Sequence, residues 1–197
     1  MFMTLRIRNT ALALAVSAAL AGCISLGPKA PEQLLTLTPA VSVPAGASQQ
    51  GQVSAALGVQ VPSTPQRLNV TRIPVVTSDS SLAYLEDAYW VEKPADLFRN
   101  LLAETIRSKG KLVVTGGELE YAARTQLTGQ LVAMDYDAVS QSVIVTYEAV
   151  LEMPEGKVMT RRFSSSVAGV VAEPVAAGVA FNQAANEVAN QVADWVR

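Results

Sequence analysis

The 197 residues contain no histidine and one cysteine, with 15 basic against 17 acidic side chains. Without imidazole there is no Ser-His-Asp arrangement and no histidine metal site, and without a second thiol there is no internal disulfide. The charge is close to balanced and no basic cluster exceeds the pair Arg161-Arg162, which excludes a nucleic-acid footprint.

In chain order, the first signal is an export segment. Arg6 and Arg8 precede an apolar stretch from Ala11 to Leu20 that contains no acidic residue. It is too short to span a bilayer, which takes about 20 apolar residues, and it is flanked as a signal peptide is. It closes on Leu20-Ala21-Gly22-Cys23, a lipobox, with cleavage expected between Gly22 and Cys23. The thiol would take a diacylglycerol and the new amine an acyl chain, so no other cofactor is expected. The alternative is an ordinary secreted protein whose cysteine falls near the cleavage point by chance. Such a lone thiol would be a liability in an oxidising compartment, and acylation removes it. Ile24, rather than Asp, follows the cysteine, which by the sorting logic of Gram-negative lipoproteins directs the chain to the outer membrane.

Cleavage leaves 175 residues, enough for one domain with a core. The expected organisation is a signal peptide over 1–22, a lipidated tether over 23–33 and one domain over 34–197. Leu34 to Thr38 reads as a first strand, and Pro39, Pro44, Gly46 and Gly51 mark a loop. Val53 to Val61 and Leu68 to Val76 are the next strands, with Pro74 arguing for an edge or a bulge in the latter. Leu82 to Trp90 is expected as two short strands around a turn at Glu86-Asp87.

Pro94 opens the clearest helix, where Leu97, Phe98, Leu101, Leu102 and Ile106 share one stripe and Gly110 ends it. Leu112 to Val114 is a short strand, followed by a turn at Gly116-Gly117. Thr125 to Tyr136 alternates around Leu127, Leu131 and Ala133, and Ser142 to Glu152 places Val143, Val145, Tyr147, Ala149 and Leu151 on one face. Pro154 to Lys157 is a hairpin turn, and Val158 to Val167 returns antiparallel. A last helix opens near Pro174. Phe181, Ala184, Ala185, Val188, Val192, Trp195 and Val196 form its apolar stripe, and Asn182, Asn186, Asn190 and Asp194 a polar ladder at four-residue spacing. One-sided strands with two amphipathic helices define the class: an α+β two-layer sandwich, a mostly antiparallel mixed sheet with both helices on one face.

Candidate chemistry reduces to carboxylates. Glu86-Asp87 fall in an expected turn, and Glu118 and Glu120 would face one way from an exposed edge strand. Asp135 and Asp137 flank Tyr136 at a strand end, where a loose calcium or glycosidase-like pair competes with a solvated hairpin end. No glycine-rich phosphate loop follows any strand, and no enzyme is expected. For binding, Tyr84, Tyr89 and Trp90 form a candidate partner-binding group, with a core role for Trp90 as the competing reading. The small-residue run from Val167 to Val171 and on to Ala176-Ala177-Gly178 is either a subunit contact or a close helix–sheet approach.

Several features in a fixed order resemble the ABC-type transport auxiliary lipoprotein family, which includes the paraquat-inducible lipoproteins. They are Leu20-Ala21-Gly22-Cys23, Leu34-Leu35-Thr36-Leu37, Arg72-Ile73-Pro74-Val75-Val76, Leu82-Ala83-Tyr84 and Ala88-Tyr89-Trp90. Arg161-Arg162-Phe163, Val179 to Ala184 and Asp194-Trp195-Val196 follow. The resemblance implies a non-catalytic component on the periplasmic face of the outer membrane. It would dock a mammalian-cell-entry (MCE) domain protein of an ABC-driven lipid transport system, with assembly into a ring as one form. Two other classes compete. One is a stand-alone lipid-binding or envelope-assembly lipoprotein, and the other is a hydrolase using Asp135 and Asp137.

Overall fold

The computed structural model describes residues 33–196, which lie within one compact unit. The signal segment, the Gly22-Cys23 junction and nearly all of the expected tether lie outside the described residues. Seven strands form one mixed sheet: β1 (Leu57–Val59), β2 (Arg72–Ser78), β3 (Ser81–Tyr89), β4 (Val113–Val114), β5 (Thr125–Asp137), β6 (Ser142–Met153) and β7 (Lys157–Ala168). The helices are α1 (Pro94–Ser108), α2 (Gly117–Ala122) and α3 (Pro174–Trp195).

The long strand β5 organises the sheet. Antiparallel β6 pairs along one edge from Gln126↔Glu152 to Asp137↔Ser142. Its other edge is shared by two parallel neighbours, β1 against Thr125–Leu127 and β2 against Tyr136–Asp137. The β6–β7 hairpin and the β2–β3 hairpin complete the two sides, and β4 pairs with β1.

Both long helices cover the same face. Tyr147 and Phe163 are register partners on β6 and β7. Phe98 of α1 meets the first edge-to-face at 5.2 Å, and Trp195 of α3 meets the second at 5.6 Å. Such aromatic pairs add about 1 kcal/mol each beyond their buried area. The alternation read in β6 is present: Val143, Val145, Tyr147, Ala149 and Leu151 are all buried. The α+β two-layer sandwich is therefore the observed fold.

Five local expectations are corrected. Leu34–Thr38 is not a strand: Leu35 makes an isolated parallel bridge with Trp90, and Thr38 bonds to the side chains of Asn182 and Asn186. The expected second strand shrinks to β1, preceded by a 3₁₀ turn at Val53–Ala55, and the third begins only at Arg72, after a 3₁₀ turn at Gln66–Leu68. Ser81–Tyr89 is one continuous strand. Glu86-Asp87 lie in a bulge opposite Ile73, where the register jumps between Arg72↔Tyr89 and Pro74↔Tyr84 and Asp87 takes φ 52. Gly116-Gly117 start α2 instead of turning into an edge strand.

A second bulge falls in β5 between Leu131 and Ala133. It resets the alternation, so that Met134 and Tyr136 face the core in place of Ala133 and Asp135, and it adds local twist. Just before it, Gly129 has φ 137, and a Cβ there would collide with the Glu148 carbonyl oxygen. Gly129→Ala is expected to cost about 3 kcal/mol, as strained backbone plus a main-chain clash, read as a lowered urea midpoint with unchanged m-value.

Candidate functional site

The acidic pairs do not assemble a site. Asp135, 5% exposed, is held by Arg67. Arg67 Nη2 donates to its Oδ2 at 2.8 Å, and Nε donates to both carboxylate oxygens at 3.2 and 3.3 Å. The same guanidinium donates to the Val132 carbonyl, the residue that β5 throws out of its ladder at the bulge. Asp137 caps the β5–β6 turn: its carboxylate accepts the Ser140 hydroxyl at 2.7 Å and the Val139 amide at 2.8 Å. Those bonds, the hydroxyl first, hold its pKa below the usual carboxylate value. Glu120 lies on α2, buried, and accepts the Gly116 amide, while Glu118 faces solvent. Glu86 and Asp87 are exposed. No group of three or more metal-ligating side chains occurs among the described residues.

The aromatic group separates. Trp90 is 1% exposed and packs edge-to-face on Phe181 at 5.4 Å, so no partner can reach it; burying an indole this large is worth more to the core. Tyr89 is half-buried. Tyr84 is 36% exposed, with the Arg72 guanidinium stacked 4.4 Å from its ring centre, and Leu82 beside it is 55% exposed. The β2–β3 hairpin thus carries exposed apolar and aromatic surface at Leu82 and Tyr84.

The small-residue run is also resolved in part. Gly169 turns the chain at φ 72, Val170 is buried and its carbonyl accepts the Tyr136 hydroxyl at 2.7 Å. Gly178 is not a helix–sheet contact. A Cβ there would lie 2.8 Å from Leu35 Cδ2, so the glycine makes room for the N-terminal segment.

That segment is where α3 does what its asparagines did not disclose in sequence. The ladder is not a solvated face. Asn182 Oδ1 accepts the Thr38 amide at 2.7 Å. Asn186, 8% exposed, accepts the Ala40 amide at 2.7 Å and donates to the Thr38 carbonyl at 2.9 Å. Glu104 of α1 accepts the Val43 amide at 2.7 Å. Leu37 is buried below. Residues 35–43 are therefore strapped across the helix layer by side chains reading main-chain groups, a surrogate for a sheet ladder. The one sequence signal was the ladder itself, three asparagines at four-residue spacing closed by Asp194. Farther along, Lys109 bonds the Asn190 carbonyl and Asp194, and Lys111 bonds the Val196 carbonyl, placing two cations at the C-terminal end of α3. Burial pushes the Lys111 ammonium pKa down.

The sheet face away from the helices is uncovered. Gln60, Ser63, Thr128, Gln130 and Glu148 line a depression of about 500 Å³ on it, and Arg162 pairs with Glu148 at its margin.

This is a two-layer domain in which Asp135, Asp137 and Glu120 are engaged in structural hydrogen bonds. The chain belongs to the ABC-type transport auxiliary lipoprotein family, whose model matches residues 35–193. Among curated proteins, no sequence matches it. Among solved structures it is similar to a DUF330-family protein from Xanthomonas campestris, with TM-score 0.70 and 19% identity over 83% of this chain and 94% of that one. An uncharacterised protein follows at TM-score 0.62 and 16% identity, over 76% of this chain and 97% of that one. These likenesses establish the fold alone. A dodecameric PelC from Paraburkholderia phytofirmans is more remote, at TM-score 0.41 and 14% identity over 73% of this chain and 92% of that one.

Arg67→Ala strands a buried carboxylate and is expected to cost about 3 kcal/mol by urea denaturation, while Arg67→Met with Asp135→Leu recovers most of it. Asp137 has a folded-state pKa below its ordinary 3.8, so its contribution is present above that pH and fades as pH falls through the folded value. Asp137→Asn is expected to be less stable than wild type at neutral pH. The gap between their urea midpoints should close on acidification below pH 3.8.

Proposed function

We propose that this chain is a non-catalytic docking component of an ABC-driven transport system, anchored through acyl chains on Cys23 to the periplasmic face of the outer membrane. The observation that carries this reading is the family match, which runs over residues 35–193 and describes an auxiliary lipoprotein component of ABC-type transport. In this reading the ATPase is another polypeptide, and the present chain supplies position rather than turnover. The chemistry of the described residues is consistent with that. Asp135 and Asp137, the one pair that invited a hydrolase reading, are committed to Arg67 and to the turn at Ser140.

The partner is an MCE-domain protein of the same system, and the transported cargo is lipid. The sequence motif at Leu20 to Cys23 supports acylation, and Ile24 supports outer-membrane sorting. Tyr84 and Leu82 on the β2–β3 hairpin are the aromatic and apolar groups assigned to meet a protein partner, because both are exposed side by side on one hairpin. Aromatic anchors of this kind carry much of the affinity of protein interfaces. Self-association into a ring would multiply such contacts.

Affinity capture of the acylated protein from its native envelope, beside Cys23→Ser, tests the assignment. Wild type is expected to bring down an MCE-domain protein, and Tyr84→Ala to reduce its recovery several-fold without changing membrane fractionation. Wild type that fractionates with the outer membrane yet recovers no transporter component overturns the docking role.

A further inference from the structure

α3 opens on an exposed apolar stripe that the fold leaves uncovered. Val175 and Val179, one turn apart on α3, are 61% and 67% exposed, and Val171, in the connection three residues ahead of the helix, is 61% exposed. The helix carries no charged side chain over the thirteen residues from Pro174 to Asn186. A surface helix normally turns charged groups to water on its outward side, so a neutral, valine-bearing outward side is a departure.

The stripe lies on a particular side of the helix. Val175 and Asn182 are seven residues apart, as are Val179 and Asn186, which places each pair within about 20° on the helix circumference. Asn182 and Asn186 grip Thr38 and Ala40, and Leu35 rests against Gly178. The valines thus continue, toward the helix N-terminus, the side along which the strap runs. The chain arriving from the N-terminus reaches the domain next to them.

Chain length then limits how far this corner can be from a bilayer. Ten peptide steps separate Cys23 from Gln33, and ten extended residues span at most about 35 Å. We propose that Val171, Val175 and Val179 form a lipid-surface contact, by which the N-terminal half of α3 rests on the bilayer that holds the acyl chains. This rests on the acylation of Cys23 proposed above. The contact needs little intrinsic affinity, because the anchor already confines the domain at the surface and makes the second contact intramolecular. Charge is confined to the edge of the patch: Glu173, exposed just ahead of the helix, is the acidic side chain between Val171 and Val175. Resting on α3 sets the orientation of the domain. The helix layer faces the bilayer, and the uncovered sheet face with Thr128, Gln130 and Glu148 faces the periplasm.

The test uses the full acylated protein in vesicles of phosphatidylethanolamine and phosphatidylglycerol. Cys23 is the only cysteine, and once it is acylated an introduced thiol labels alone. Val179→Cys and, separately, Val171→Cys are labelled with an environment-sensitive fluorophore, with Thr160→Cys on β7 as reference. Flotation with the vesicles reads the anchor, and quenching by a nitroxide-bearing lipid against aqueous iodide reads the contact. The expected result is co-flotation with several-fold stronger lipid quenching, and weaker iodide quenching, at 179 and 171 than at 160. Co-flotation with equal quenching at all three positions keeps the anchor and overturns the contact. Labels at 179 and 171 shielded from both quenchers would mean that the tether or another copy covers the stripe, which also overturns it. Absence of co-flotation removes the anchor reading and the contact with it.

Discussion

A strand of thirteen residues with hydrogen-bonded neighbours on both edges constrains whatever is built on it, and β5 is that strand. Its ladder with β6 is continuous except at one bulge, and it is this pairing that holds Tyr147 and, one strand further, Phe163 on the face the helices cover. The bulge between Leu131 and Ala133 has two consequences. It brings Met134 and Tyr136 into the core, and it leaves Asp135 on the other side, where Arg67 neutralises it and takes up the loose Val132 carbonyl. Tyr136 then reaches the Val170 carbonyl and pins the connection into α3. An irregularity in one strand is thus repaired by a partly buried ion pair, the kind that costs most when only one partner is removed.

The helix layer has a second task besides covering the sheet. α3 spends Asn182 and Asn186 on the main chain of the N-terminal segment, and α1 contributes Glu104. Main-chain groups of the segment find partners on the helices without another strand, so the segment crosses the helices instead of adding to the sheet. The arrangement ties the domain to the part of the chain through which any membrane anchor must act. A load on the tether would be borne by Leu35, Leu37 and these few bonds, beside the valines of α3.

Chemistry and family agree in direction. The carboxylates are distributed to structural duties: a cap at Asp137, an ion pair at Asp135, an internal bond at Glu120. Exposed surfaces among the described residues include the β2–β3 hairpin with Leu82 and Tyr84, a polar sheet face around Glu148 and the valines at the start of α3. Membership in a family of auxiliary transport lipoproteins calls for surfaces of this sort, since an auxiliary component acts through what it touches.

Much of the fold was legible in the residues. α1 and α3 followed from apolar spacing closed by Pro94, Gly110 and Pro174, and β6 from strict alternation, because those patterns depend only on local geometry. The sandwich class followed from strands that are apolar on one side. What could not be read was wherever a residue's role is set by a distant neighbour. Leu34–Thr38 looks like a strand because its alternation is apolar, yet its ladder partners are asparagines some 144 residues away. Asn186 looks solvent-facing because it is polar, yet it is buried by the strap it binds. Trp90 could be an interface anchor or a core residue until Phe181 stands against it. The sequence by itself determined the periodic elements and the absence of imidazole and thiol-pair chemistry, all properties of composition and short-range spacing. The tertiary structure alone decided which polar groups are buried, where the bulges reset the faces, and which surfaces remain exposed, because burial and pairing arise from contacts between segments far apart in the chain.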